Sequence, residues 1–143
     1  MLMYNVNRTK NGLQFEFSSN YVYVDKTVES CINFVRERSL DISEFDLSIA
    51  LHEVLSNAVR HGNKEDPTKN VLCNLFWEKD MLQIEVRDEG QGLSSGDAMK
   101  RKSGVLEPHG MGMSIIEGLD FECHYVCEKN IVLLKKKVKV HSN

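Results

Sequence analysis

Apolar side chains alternate with polar ones in several short stretches of the chain and recur every three or four residues in others. Residues 2–6 and 13–18 alternate loosely around Asn11-Gly12, which predicts a short N-terminal hairpin. Val28, Ile32 and Val35 fall at helical spacing, so a helix is expected from a cap at Asp25 to about Ser39. Leu47, Leu51, Val54 and Ala58 form the apolar stripe of a second helix, starting near Ser43 with Gly62 as its natural stop. Val71–Glu78 and Met81–Arg87 read as strands joined by a tight Lys79-Asp80 turn. Residues 89–109 then collect glycines, serines, charges and one of the two prolines, a long loop of the functional or mobile kind. A short helix from about Gly110 to Gly118 and strands near 121–127 and 131–140 complete the chain. This order predicts an α/β two-layer sandwich, with helices on one face of a largely antiparallel sheet.

Composition narrows the picture. At 143 residues the chain fits one domain, and 41% hydrophobic with 27% charged residues is ordinary for a soluble globular protein. A net charge of -3 gives no bulk attraction for nucleic acid. The basic run Lys135 to Lys139 reads as an exposed edge strand kept soluble by its lysines. No apolar run approaches the roughly 18 residues of a membrane span, and no secretory signal pattern opens the chain, so a cytoplasmic location without membrane attachment is expected. Cys31, Cys73, Cys123 and Cys127 lack any Cys-x-x-Cys spacing and read as small buried hydrophobes in a reducing compartment.

Three segments carry candidate chemistry. Glu53 and Asn57 stack on one helical face at the margin of the apolar stripe, with His61 one turn on, although in most proteins such a pair is a solvated helix surface. Leu82, Ile84 and Val86 share a strand face, and Asp88 continues their phase toward the buried side, where a carboxylate needs a partner. The alternative is that the strand ends at Arg87 and Asp88 caps a turn. Gly90 and Gly92 favour the first reading, because they let the backbone pass close to another group. Gly110-Met111-Gly112 opens the short helix, where backbone N–H groups free of side-chain bulk can hold phosphate, or form a simple hinge. A dinucleotide fingerprint fails at Ile115, and no Gly-Lys-Ser/Thr occurs.

In this order the segments resemble the nucleotide-binding domain of DNA gyrase, heat-shock chaperones, sensor histidine kinases and mismatch-repair proteins, the GHKL superfamily. Leu51-His52-Glu53-Val54-Leu55-Ser56-Asn57-Ala58 is similar to its N box, Asp88-Glu89-Gly90-Gln91-Gly92 to its first glycine box and Gly110-Met111-Gly112-Met113 to its second. The resemblance spans roughly residues 25–135. Within the superfamily it is greatest to the bacterial anti-sigma-factor serine kinases of stress response and sporulation, whose Asn-Ala-x-x-His-Gly/Ala is similar to Asn57–Gly62.

The resemblance implies a histidine-kinase-like ATPase fold and transfer of the ATP γ-phosphoryl group to a serine of a STAS-type antagonist, with control of a sigma factor. It implies Asn57 on Mg²⁺, Glu53 as acceptor of the serine proton and Asp88 on the adenine amino group. Gly90 and Gly92 would let the chain approach the base. Gly110, Met111, Gly112 and Met113 would cradle phosphates, and residues 93–109 would form an ATP lid. A homodimer is implied by the same analogy. Two positions depart from the pattern: Pro108-His109 stands where several relatives carry an arginine, and Glu128-Lys129-Asn130-Ile131 lacks their threonine. Lys100, Arg101 or Lys102 could supply the missing cation. A nucleotide-dependent binding switch and a detached sensor-kinase catalytic domain remain the alternatives.

Overall fold

The structure, a computed structural model, describes residues 2–90 and 110–141. The expected lid at 93–109 lies outside the described residues, as do Gln91 and Gly92. Strands β1 (Tyr4–Arg8), β2 (Gly12–Ser18), β3 (Asn70–Glu78), β4 (Met81–Arg87), β5 (Glu122–Val126) and β6 (Ile131–Lys137) form one sheet in the order β1-β2-β3-β4-β6-β5. Every neighbouring pair is antiparallel. Helices α1 (Tyr21–Glu37), α2 (Glu44–Asn57) and α3 (Gly110–Gly118) complete the α/β sandwich.

Alternation builds the core. The register aligns Leu13, Leu75, Ile84 and Leu134 across four strands, and beside them Phe15, Cys73, Val86 and Val132. Val24, Val28, Cys31, Phe34 and Val35 of α1 and Leu47, Ala50, Leu51, Val54 and Leu55 of α2 join the same cluster. A large apolar side chain sealed this way contributes about 1.5–3 kcal/mol relative to an exposed one. Gly12 is dictated by proximity, since a Cβ there would run into the Leu75 carbonyl of β3. The Lys79-Asp80 turn adopts φ of 52° and 61°, the left-handed pair of a tight type I′ hairpin.

Three local expectations change. α1 begins at Tyr21 rather than beside Asp25, because Asn20 Oδ1 accepts from the Val22 N–H at 2.9 Å and caps the helix directly after β2. Tyr21 and Val22 are exposed, so the apolar periodicity starts a turn later than the helix does. Asp25 lies inside the helix with its carboxylate 3.8 Å from His52 Nδ1 of α2. The lysine-rich strand is internal, not an edge: β5 pairs outside β6 and takes the edge. Lys136 bends over the core rim, donating to the Leu119 carbonyl at 3.3 Å with its ammonium above the Phe121 ring. Cys31 and Cys73 are buried as expected, whereas Cys123 is only partly buried. Burial pushes the Cys73 thiol up to about 12, so it stays protonated. Ser43 caps α2 as expected, its Oγ accepting from the Asp46 N–H at 3.1 Å.

Candidate functional site

α2 ends on Asn57, and the backbone then opens into a π-helical turn, Ala58–Gly62. The Asn63 N–H reaches back to the Ala58 carbonyl at 2.8 Å, the wider spacing of a π turn. Such turns recur at functional sites because they redirect the backbone without breaking it. Glu53 and Asn57 stand half-buried at this end of the helix. The Asn57 side chain makes no cap hydrogen bond to the following turn. His61 lies one turn on; burial and Arg60 hold its imidazole below its ordinary value against the upward pull of Glu53.

The π turn delivers Gly62 onto Asp88. A Cβ at Gly62 would collide with the Asp88 carboxylate, and one at Gly90 would collide with the Gly62 carbonyl. The π turn after α2 and the loop after β4 therefore touch through two glycines, a separation no larger residue allows. Asp88 itself reconciles both readings of its position. β4 ends at Arg87, and Asp88 Oδ1 closes a turn by accepting from the Gly90 N–H at 2.8 Å. The side chain is nonetheless half-buried, and no hydrogen bond from the described residues reaches Oδ2. Burial raises the Asp88 carboxyl above its ordinary value, opposed by the Gly90 N–H and by Lys69.

The loop is fastened from both sides by residues that motif reasoning did not select. Asn63 is fully buried, at 0% exposure. Its Oδ1 accepts from the Glu89 N–H at 2.7 Å, while its Nδ2 donates to Ser19 Oγ at 2.8 Å and the Asn70 carbonyl at 2.9 Å. Leaving one such buried group unpaired costs about 1–3 kcal/mol. On the other side the Asp88 N–H donates to the Asn130 carbonyl at 3.2 Å, and Asn130 Nδ2 donates to the Gly90 carbonyl at 2.7 Å. The Glu89 carboxylate also accepts from the Asn70 N–H. The available signal was slight: Asn63 directly follows Gly62, and Asn130 sits at a turn where its φ is 54°.

The second glycine box lies where its motif requires a helix start. Gly110, Met111, Gly112 and Met113 form the first turn of α3, which packs against α2 and seals Ile116 into the core. Such a turn leaves backbone N–H groups without partners inside the helix. Gly92 and the Pro108-His109 departure fall outside the described residues.

Residues 17–136 match the family described as the histidine kinase-like ATPase domain. The chain belongs to that family. It is 28% identical over 140 residues to the anti-sigma F factor of Geobacillus thermodenitrificans, covering 90% of this chain and 94% of that protein. It is 27% identical over 139 residues to the anti-sigma F factor of Clostridium perfringens, covering 90% and 97%. Among solved structures it is similar to the histidine kinase domain of the blue-light activated histidine kinase of Erythrobacter litoralis, with a TM-score of 0.54 at 16% identity. That likeness covers 85% of this chain and 61% of the solved one, and at such identity it speaks for the fold. The histidine kinase-like ATPase domain thus unites the N-box helix, the Asp88 loop and α3 on one scaffold, with relatives named as anti-sigma factors.

Proposed function

We propose that this histidine kinase-like ATPase domain binds ATP with Mg²⁺ and phosphorylates a serine of a STAS-type antagonist, thereby regulating a sigma factor in the cytoplasm. The observation that carries the reading is the Asp88 carboxylate, seated on Gly62 at the end of the π turn that follows the helix bearing Glu53 and Asn57. Its Oδ1 accepts from the Gly90 N–H, while Oδ2, which lies against Gly62, accepts from none of the described residues. A flat base with an exocyclic amino group fits that combination. In this reading Asp88 accepts the adenine amino N–H, and Gly90, with Gly92, permits close approach. Asn57 offers its amide oxygen to Mg²⁺, which supplies charge neutralisation between phosphates when bound. The α3 amides from Gly110 to Met113 receive the phosphates. Glu53 takes the serine proton as the serine oxygen bonds the γ-phosphorus and ADP leaves with the bridging oxygen. A homodimer is part of the same proposal.

The test is incubation with a STAS-type antagonist and labelled ATP, followed by acid treatment. Acid-stable phosphoserine should form, and Glu53→Gln should slow it by about 10²-fold or more. Antagonist that binds yet never acquires phosphate would remove the kinase claim and leave a nucleotide-dependent binding switch. Acid-labile label on a histidine would point to a sensor-kinase catalytic domain instead.

A further inference from the structure

Asp88, Glu89 and Gly90 form a tripeptide in which every backbone N–H is already engaged. The Asp88 N–H donates to the Asn130 carbonyl, the Glu89 N–H to Asn63 Oδ1 and the Gly90 N–H to Asp88 Oδ1. The Gly90 carbonyl in turn accepts from Asn130 Nδ2 at 2.7 Å. Two asparagine side chains, one from the turn after α2 and one from the turn before β6, thus grip the same three residues from opposite sides. Each side chain reaches beyond its own turn to a distant backbone. Asn63 is fully buried and spends its whole amide on Ser19, Asn70 and Glu89. Asn130 adopts a φ of 54°, a conformation that glycine would take with less strain.

We infer that Asn63 and Asn130 form an amide clamp that fixes the Asp88 carboxylate, making both of them positioning residues for base selection at this site. The inference rests on the reading of Asp88 as the acceptor for an amino-bearing base. A carboxylate held by Gly90 at Oδ1 presents Oδ2 in one direction only, and that direction is set by the tripeptide backbone. Releasing either asparagine lets the carboxylate swing, so binding weakens for a base that donates to it. A base with a keto oxygen at the same position has no such bond to lose.

Asn130→Gly separates this role from a structural one, since it keeps the left-handed backbone and deletes only the side-chain donor. Binding of ATP and of inosine triphosphate, which has a keto oxygen in place of the amino group, is titrated calorimetrically with Mg²⁺. In Asn130→Gly the ATP affinity should fall about tenfold, the value of one lost hydrogen bond. The inosine triphosphate affinity should change little, and the melting temperature should shift by only a few degrees, because the relieved backbone at residue 130 offsets the lost hydrogen bond. Asn63→Ala should lower the same ATP preference; if it fails to fold, Asn130→Gly alone decides. Equal losses for both nucleotides, or no loss, would overturn the clamp. Asp88→Asn is the reference: if it abolishes ATP preference while Asn130→Gly retains it, only the clamp is wrong. If Asp88→Asn retains that preference, the adenine reading of Asp88 falls, and the clamp's function falls with it.

Discussion

Asp88 is a carboxylate kept half out of water beside two glycines, and its chemistry follows from that position. Burial disfavours its ionised form, so its folded value stands above its unfolded one. As pH rises, the unfolded chain therefore releases this proton first. Folding is progressively penalised between the two values, and the penalty persists in full above the folded one. A ¹³C NMR titration of the free protein should place the Asp88 midpoint above the ordinary value of about 3.9. A midpoint at or below that value would contradict the desolvated setting. Asp88→Asn removes the charge, so the free protein should melt at a higher temperature at neutral pH while losing nucleotide-induced stabilisation. Alternation along β4 made Asp88 legible in the sequence. Its seat on Gly62 was not, because Gly62 reads locally as a helix stop and the contact forms only when the π turn meets the loop after β4. Asn63 and Asn130 were illegible for a related reason: asparagine in a turn is common, and only tertiary structure shows which amide reaches which backbone group.

At the scale of elements, capping and turn chemistry explain both successes and misses. Ser43 and the α2 stripe were readable because cap and apolar periodicity coincide, whereas at α1 an exposed first turn separates them. The β3–β4 hairpin turns through Lys79 and Asp80, two non-glycine residues at positive φ. Combining Lys79→Asn with Asp80→Gly suits the type I′ geometry and should raise stability by about 1 kcal/mol in a urea titration. A fall would mean that the native pair makes a compensating contact. Ile84, sealed at the centre of β4 between Leu75 and Leu134, should cost about 2–5 kcal/mol when replaced by alanine. β6 misled because its lysines look like protection for an edge. The strand order that places β5 outside it depends on pairing between distant segments.

Across the whole molecule, the fold brings the π turn after α2 against the post-β4 loop and packs α3 against α2 itself. The family match over residues 17–136 covers all of these parts. Motif order and strand alternation were enough to anticipate this architecture, since each motif sits at the end of an element whose type its pattern reveals. How the ends interlock follows from packing, which no local pattern encodes. The central claim is that Asn57 and Asp88 serve a single ATP pocket. Its most direct test is a calorimetric titration of ATP with Mg²⁺ into the wild type, Asn57→Ala and Asp88→Asn, with circular dichroism confirming that each is folded. Both variants should lose at least about tenfold in affinity, the scale of one hydrogen bond or ligand contact. Unchanged affinity in both would place the nucleotide elsewhere and contradict the account.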